Sequence, residues 1–365
     1  MIFRRLKRME EELCALRAEV TELRKLVHSG RHVDLVDLGD LRMFMYTGDF
    51  GHLQIDDSCK GKSASPATRD LFSPPLDIRQ CYDSPTTPIP LLLMAHYWLH
   101  GLDFVFFDIG CHYGEFAMTA MRHIRACGRQ NRLIAFDPGV AGNLVPFNLQ
   151  LNGMQDMITY ERCAVSEATY PAIIYTETDI GANNRFVNRP GESEGASYVC
   201  PSVSIDDYVR GHGITEHLIC KIDTQGAEYE VMRGLRQTLA TRHVCCIMEF
   251  TPGALQSRVD PAAWLHGFSD SFLLFDLDQM EPPTKRRVAA IDPADMRPFL
   301  DAVSLRPYQW SDVLLVPRTL PGAASLLLRL NGQPADAGGI EVSLLDAENN
   351  SGGAALRSPL PGTAV

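Results

Sequence analysis

The stretch FVFFDIGCHYGEFAMTAM, residues 104–121, decides the fold because it joins an apolar run to a helical pattern through a short glycine loop. FVFFDI predicts a buried β-strand, and the residues from Glu115 to Ala126 predict a helix. Between them, Asp108, Gly110 and Gly114 form a D-x-G-x-x-x-G pattern. Gly110 permits a tight turn, and the first helical turn offers unpaired backbone N–H groups. In an α/β sheet, this turn is where ligands bind.

Further apolar runs with strand character alternate with helical segments along the chain. Helices are predicted at 115–126, 142–151 and 227–239. Strands are predicted at 104–109, 133–136, 158–165, 218–222, 244–250, 272–275 and 313–316. Nearly continuous apolar strands alternating with helices predict an α/β protein with a mostly parallel sheet that has helices on both faces.

The composition excludes several functional classes. The chain of 365 residues carries a formal net charge of −11, which disfavours a broad nucleic-acid-binding surface. No run approaches the roughly 20 apolar residues of a transmembrane helix, and the charged N-terminus lacks the apolar core of a signal peptide. The ten cysteines show no C-x-x-C spacing, so we expect reduced thiols and a cytoplasmic location.

Residues 2–27 show the heptad spacing of a parallel coiled coil. Apolar residues alternate at steps of four and three: Ile2, Leu6, Met9, Leu13, Leu16, Val20, Leu23 and Val27. In a parallel partner the g and e positions would pair with opposite charges: Arg5 with Glu10, Glu12 with Arg17, and Glu19 with Arg24. We expect a homo-oligomer; an amphipathic helix folded back on its own domain is the alternative.

Four regions follow from these patterns. We predict an N-terminal coiled-coil helix at 1–29, an irregular extension at 30–86 with a strand-like fragment at 41–46, and a main domain at 87–318. Residues 319–365 contain Gly-, Ala- and Ser-rich segments, and this composition predicts a weakly ordered tail. Within that tail, residues 326–330 and 340–345 are apolar enough for a pair of strands.

Three kinds of ligand fit a glycine loop after the first strand: a metal, a dinucleotide phosphate or another nucleotide-bearing cofactor. Phosphate is disfavoured because the G-x-G-x-x-G spacing is missing and because Asp108 and Glu115 are acidic. A cationic ligand without phosphate, such as S-adenosylmethionine, suits these charges. Asp137 ends the second strand, where a carboxylate can accept hydrogen bonds from ribose hydroxyls.

An ordered series of motifs resembles the FkbM family of S-adenosylmethionine-dependent methyltransferases. The motifs are FFDIGCHYGEFAM, AFDPGVAGNLVPFNLQLNG, ERCAVSE, KIDTQGAEYEVMRGL and IMEF, which begin at residues 106, 135, 161, 221 and 247. The resemblance implies a class I methyltransferase fold, Rossmann-like, with seven strands of which the last is antiparallel. It also implies S-adenosyl-L-methionine as cofactor and methyl transfer to a hydroxyl of a sugar, a glycan or a similar small polyhydroxyl compound.

The resemblance places the cofactor along the loops of the first three motifs. The cofactor-binding residues it implies are Asp108, Gly110, Cys111, Tyr113, Gly114, Phe136, Asp137, Ala164 and Val165. The sequence departs from the family pattern at Cys111-His112, where the family has Ala-Asn, and at Thr224-Gln225, where it has Val-Glu. These departures support an alternative, a catalytically degenerate methyltransferase fold that acts as a scaffold or partner subunit.

Three residues are candidates for the base that removes the acceptor proton. Asp223 follows the fourth predicted strand, and Glu249 is a carboxylate in an otherwise apolar strand, where it needs a partner or a purpose. His112 has a suitable unperturbed pKa. We interpret Lys221 and Glu228 as a structural pair or as local hydrogen-bonding groups. We predict no metal, because Cys111 and His112 are adjacent and lack a C-x-x-C partner.

Overall fold

The computed structural model describes residues 33–37, 41–46, 76–77, 88–177, 185–186, 196–277, 288–306 and 309–330. The strands are β1 (Val33–Asp37), β2 (Arg42–Tyr46), β3 (Leu76–Asp77), β4 (Phe104–Ile109), β5 (Leu133–Phe136), β6 (Ile158–Glu161), β7 (Ala164–Val165), β8 (Tyr170–Glu177), β9 (Arg185–Phe186), β10 (Ala196–Val203), β11 (His217–Ile222), β12 (Val244–Phe250), β13 (Phe272–Asp276), β14 (Ala289–Ala290) and β15 (Ser311–Pro317).

Helices connect most of these strands. The α-helices are α1 (Pro88–Leu99), α2 (Glu115–Ala126), α3 (Val145–Leu151), α4 (Ile205–Gly211), α5 (Glu228–Gly234), α6 (Arg236–Thr241), α7 (Pro252–Leu255), α8 (Pro261–His266), α9 (Arg297–Leu305) and α10 (Ala323–Leu330). A 3₁₀ turn at Ala141–Leu144 leads into α3. Among the described residues, no helix combines the length and the apolar character needed to cross a membrane.

The main sheet has the order β14-β13-β15-β12-β11-β4-β5-β6. The five strands from β12 to β6 are mutually parallel, and β15 runs antiparallel to its neighbours β12 and β13. The predicted α/β architecture and the antiparallel last strand are therefore confirmed. The predicted count of seven strands is not, because the two-residue β14 adds an eighth strand at the edge.

Buried side chains alternate between the two faces of this sheet, as the strand period requires. Phe104 and Phe106 pack on one face with side chains of α1, α2, α3 and α10. Val105 and Phe107 pack on the other face with side chains of α4, α5 and α9. The molecule is therefore layered helix–sheet–helix.

Several predicted elements differ from the structure. The strand predicted at 158–165 divides into β6 and β7, because Cys163 N–H bonds back to Glu161 O and turns the chain. The helix predicted at 227–239 divides at Leu235, next to Gly234, where a Cβ would overlap the backbone of Ser166. The strand predicted at 326–330 is the helix α10, which packs on α1.

Two smaller sheets flank the main one. The first, of order β2-β1-β3, lies in the predicted extension, and its strand β2 confirms the strand character at 41–46. The second, of order β7-β10-β8-β9, lies between β6 and α4 in the chain. The predicted coiled coil and the segment 340–345 lie outside the described residues.

Candidate functional site

The site lies where the chain order reverses in the main sheet, between β4 and β11. From β4 the chain proceeds to β5 and β6 on one side, and from β11 to β12 on the other. Ligands of open α/β sheets bind beyond the carboxyl ends of strands at such a switch point. The loops after β4 and β11 meet there, because Asp223 N–H donates to Ile109 O at 2.9 Å.

Gly110 is required by this contact. Its φ is +82°, and a Cβ built on it would overlap the carbonyl oxygen of Asp223. Its N–H and that of Cys111 both donate to Phe136 O, which ties the loop to the end of β5. The glycine therefore brings three strand ends together.

Asp137 organises the other side of the loop. Its Oδ2 accepts from the backbone N–H of His112 at 2.7 Å, and its Oδ1 accepts from that of Gly139 at 2.7 Å. The side chain is buried. Tyr160 OH donates to the carbonyl oxygen of Asp137 at 2.9 Å, so the residue is fixed from both its side chain and its backbone.

His112 lies on this Asp137 side of the site. Its φ is +53°, a conformation that Asn adopts more readily than His. Its ring packs edge-on against Tyr113, with centroids 4.2 Å apart. The Tyr113 carbonyl accepts from Asn148 Nδ2, and Asn148 also hydrogen-bonds Phe44 of β2, which anchors the small sheet to the loop.

Several predicted cofactor-binding residues have buried side chains: Cys111, Tyr113, Phe136, Ala164 and Val165. Val165 packs in the core below the sheet, and Ala164 packs against Cys200. These positions would therefore offer a ligand backbone atoms rather than side-chain functional groups. Burial also raises the pKa of the Cys111 thiol, with Asp137 adding to the shift, so the thiol stays neutral near pH 7.

A row of charged residues crosses one face of the main sheet at its carboxyl edge. Lys221 of β11 is in register with Asp108 of β4, and Glu249 of β12 is in register with Asp312 of β15. Lys221 is also in register with Ile247, two residues before Glu249. Because side chains alternate along strands, all four point to the same face.

Lys221 is the cation of this row. Its Nζ lies 3.0 Å from Asp223 Oδ2, 3.9 Å from Asp108 Oδ1 and 5.2 Å from the centroid of the Phe116 ring. Burial favours the neutral amine, but the charges of Asp223 and Asp108 outweigh it and raise the Lys221 pKa. The residue is therefore a fixed ammonium beneath the glycine loop.

Asp108 is fully buried below the same loop. Among the described residues, neither of its carboxylate oxygens has a hydrogen-bond partner; the Ala117 amide faces the carboxylate without meeting hydrogen-bond geometry. Burial raises its pKa to about 6, against the opposing effect of Lys221. A buried acceptor without a donor is costly and is suited to a ligand donor.

Asp223, in the loop after β11, and Glu249 of β12 lie side by side. Gln225 Nε2 donates to Asp223 Oδ1 at 2.8 Å and to Glu249 Oε2 at 2.9 Å. The Asp223 side chain is 36% exposed, whereas Glu249 is 6% exposed. Asp223 is therefore the member of the pair that an acceptor can reach.

The two carboxyl groups have opposite pKa shifts. Burial raises the pKa of Asp223, but Lys221 and hydrogen bonds from Gln225 and Glu249 outweigh it, so its pKa is lowered. Burial raises the pKa of Glu249, and the charges of Asp223, Glu228 and Asp312 raise it further. The shifts therefore favour the ionised form of Asp223 and the protonated form of Glu249.

Glu228 has a local structural role. Its Oε1 accepts from Thr224 N–H at 2.9 Å, from Thr224 Oγ1 at 2.9 Å and from Gly226 N–H at 3.2 Å. Lys221 pairs with Asp223 rather than with Glu228, so the interpretation of Lys221 and Glu228 as a pair is wrong. Glu228 is the local hydrogen-bonding group that the sequence analysis gave as the other possibility.

Sequence reasoning missed Gln225 and Asp312 as members of the site. Asp312 lies at the start of an apolar run, a signal of the kind that identified Glu249, and burial raises its pKa to about 7.

Within the described ranges, no group of three His, Cys, Asp or Glu side chains is arranged to hold a metal ion.

Comparisons with known proteins give one family. Residues 108–278 match the sequence model of the methyltransferase FkbM domain. No curated protein sequence matches the chain.

Solved structures give weaker similarities. One is a proposed class I S-adenosylmethionine-dependent methyltransferase from Listeria monocytogenes: identity 9%, TM-score 0.29, coverage 70% of this chain and 64% of that one. Another is the plantazolicin methyltransferase BpumL in complex with a triazolic desmethylPZN analog and SAH: identity 8%, TM-score 0.30, coverage 64% and 85%. A third is an inferred methyl transferase from Burkholderia thailandensis bound to S-adenosyl-homocysteine: identity 11%, TM-score 0.22, coverage 68% and 61%. The chain thus spans less than two thirds of the first and third proteins, and with TM-scores below 0.5 we draw no conclusion from these likenesses.

The mostly parallel sheet and the loops at its switch point define an open α/β domain, a fold in which ligands bind beyond the carboxyl ends of the strands. Residues 108–278 of this domain are similar to the methyltransferase FkbM domain. The resemblance found in the sequence is thereby confirmed for this segment.

Proposed function

We propose that the protein is an S-adenosylmethionine-dependent O-methyltransferase that acts on a hydroxyl of a sugar, a glycan or a similar small polyhydroxyl compound. The observation that carries this proposal is Asp223, an ionised and partly exposed carboxylate beside the glycine loop of an FkbM domain. A base in that position can take the proton of an acceptor hydroxyl.

The residues of the glycine loop fit this cofactor. The buried Asp108 carboxylate has two acceptor oxygens without a hydrogen-bond partner among the described residues. Asp137 is positioned after β5, where a carboxylate can accept hydrogen bonds from ribose hydroxyls. Gly110, Cys111, Tyr113 and Gly114 would line the loop with backbone atoms.

S-adenosylmethionine supplies a methyl group bonded to a positively charged sulfur. The chain supplies orientation and the base. Lys221 keeps Asp223 ionised through a contact of 3.0 Å, and the apolar side chains below the loop limit water. A positioned base of this kind contributes on the order of 10²–10⁴-fold to the rate.

The acceptor side of the site is proposed from the topology. The segment 166–210 follows β7 and contains the strands β8, β9 and β10, and the segment 276–310 begins at the carboxyl end of β13. We propose these segments as acceptor-facing. A neutral acceptor is favoured over an anionic one, because the Lys221 ammonium is already paired with two carboxylates, Asp108 and Asp223.

Assembly and location stay predictions from the sequence. We propose a homo-oligomer formed through a parallel coiled coil at residues 2–27 and a cytoplasmic location. Neither affects the chemistry assigned to Asp223.

The second candidate is a catalytically degenerate scaffold or partner subunit. It is favoured by His112 and Gln225, which depart from the family pattern and both have positive φ, 53° and 56°. Binding of the cofactor without transfer to any acceptor would support it.

Transfer of a labelled methyl group tests the proposal. Purified protein is incubated with methyl-labelled S-adenosylmethionine and with fractionated cell glycans and lipids. We expect label in a hydroxyl-bearing fraction, lost in Asp223→Asn and retained in Asp270→Asn, a control at an exposed aspartate. No label in any fraction would favour the scaffold.

A further inference from the structure

Gln225 joins two carboxyl groups that the chain separates by 26 residues. Its Nε2 is 2.8 Å from Asp223 Oδ1 and 2.9 Å from Glu249 Oε2. A carboxamide nitrogen has two N–H donors, so one side chain can satisfy both acceptors together. In the structure, Gln225 Nε2 donates one hydrogen bond to each carboxyl group.

Both carboxyl groups lie within hydrogen-bond distance of the same nitrogen, so their charges repel each other when both are ionised. Glu249 is the buried member, and Asp223 lies against the Lys221 ammonium. Burial and the charge of Asp223 raise the pKa of Glu249. The arrangement therefore favours the proton on Glu249 and the charge on Asp223.

We propose that Gln225 is a positioning residue that holds Asp223 and Glu249 as a carboxyl pair sharing one proton, with the ionised Asp223 directed toward the acceptor hydroxyl. This inference rests on the proposed methyl transfer. In the reaction, the acceptor O–H bond breaks and its proton moves to Asp223. The oxygen forms the bond to the methyl carbon while the methyl–sulfur bond breaks and its electron pair stays on sulfur.

The backbone around Gln225 is arranged for this role. Gln225 has φ +56°, and the next residue, Gly226, has φ +104°. The Glu228 carboxylate holds the turn by accepting from Thr224 and Gly226. Left-handed backbone is unfavourable for glutamine and persists where surrounding contacts hold it; the hydrogen bonds of Gln225 to Asp223 and Glu249 are among these contacts.

Other charged groups surround the pair and affect its titration. On β11 and β4 these are Lys221 and Asp108; on α5 and β15 they are Glu228 and Asp312. Lys221 favours the charged form of Asp223, and Glu228 and Asp312 favour the protonated form of Glu249. The shared proton is thus a property of the cluster, with Gln225 fixing its two central members.

Two variants separate the contacts of the side chain from the backbone. Gln225→Met keeps the length and removes both donors, whereas Gln225→Asn suits left-handed backbone but is too short to bridge the pair.

We expect both variants to shift the acid limb of the kcat–pH profile to higher pH, because Asp223 loses a donor to its charged form. On the acid limb of the profile, below the Asp223 pKa, transfer should fall about tenfold for a shift of one pKa unit, with cofactor affinity within about twofold of the parent. Gln256→Met, at an exposed glutamine, is the control. An unchanged pH profile in both variants would overturn the positioning role.

A second measurement needs no activity. Protein labelled with ¹³C at glutamate side-chain carboxyls is titrated by NMR, and the Glu249 signal is identified by its loss in Glu249→Gln. We expect Glu249 to be protonated at pH 7, and its titration to move to lower pH in Asp223→Asn, where the neighbouring negative charge is gone. A Glu249 titration that does not respond to Asp223→Asn would overturn the shared proton. If the parent protein transfers no methyl group, the proposed function fails, and this titration still decides whether the pair exists.

Discussion

The backbone N–H of His112 donates to Oδ2 of Asp137 at 2.7 Å, so the residue that departs from the family pattern is held through its backbone. The side chain of His112 is not needed for this hydrogen bond. The loop can therefore keep its position while the residue at 112 changes. This relationship separates the fold of the loop from the chemistry of the histidine.

His112→Asn should retain both cofactor binding and methyl transfer. Asn is favoured over His at φ +53° and leaves the backbone contact to Asp137 intact. We expect a free energy of unfolding equal to that of the parent or higher by a few tenths of a kcal/mol. Urea unfolding, calorimetry and the labelled-methyl assay check this. Loss of transfer with intact cofactor binding would identify His112, rather than Asp223, as the base.

Gly110→Ala should destabilise the protein far more than Gly128→Ala. Both glycines have positive φ, +82° and +66°, but an added Cβ overlaps the Asp223 carbonyl only at Gly110, and at Gly128 it meets no atom within 4 Å. Gly128→Ala should cost about 1 kcal/mol, from the backbone alone. Gly110→Ala should cost at least about 2 kcal/mol more, because the backbone of Gly110 or of Asp223 must move to relieve the overlap. Equal urea midpoints for the two variants would contradict the close contact between Gly110 and Asp223.

Stability should fall between about pH 4 and about pH 7 through Asp108 and Asp312. The structure raises their pKa values to about 6 and about 7. A carboxyl group with a raised folded-state pKa contributes stability that is complete below its unfolded-state pKa and is lost as the pH rises through the folded-state value.

Asp312→Asn tests this dependence at one position. The difference in stability between the variant and the parent should favour the variant more at pH 8 than at pH 5.5. Urea midpoints at both pH values measure this difference. Asp270→Asn, at an exposed site, serves as the control and should follow the parent profile. If Asp312→Asn differs from the parent equally at the two pH values, Asp312 does not titrate in this range.

Much of the fold could be predicted because burial alone determines it. Four elements have the predicted bounds, since each is an apolar run or has an apolar stripe: the strands β4, β5 and β12 and the helix α2. The helix α1 was not predicted. Its run PIPLLLMAHYWL is apolar on all sides and therefore lacks the period that marks a surface helix.

The site could be predicted only as separate residues. Asp108, Asp223 and Glu249 stand out as carboxylates at the ends of apolar strands. Their neighbours do not, because the register of β12 against β15 and the turn that directs Gln225 are set by tertiary structure. Gln225 occupies a position where the family has Glu, and only the structure shows that its amide lies between two carboxyl groups.

Deleting residues 1–28 should lower the molecular mass in solution and leave cofactor affinity unchanged. The heptad pattern places the apolar seam in this segment, whereas the proposed site lies between residues 108 and 312. Multi-angle light scattering and calorimetry measure the two properties. An unchanged mass would favour a helix folded back on its own domain.

Calorimetric titration with S-adenosylmethionine tests the central claim most directly. The parent protein should bind one equivalent per chain. Asp137→Asn should weaken binding at least about tenfold, because it removes the charge of the carboxylate assigned to the ribose hydroxyls; Asp156→Asn, at an exposed aspartate, should bind as the parent does. No heat of binding by the parent at millimolar cofactor would contradict the account, and equal affinity in Asp137→Asn would contradict the ribose assignment.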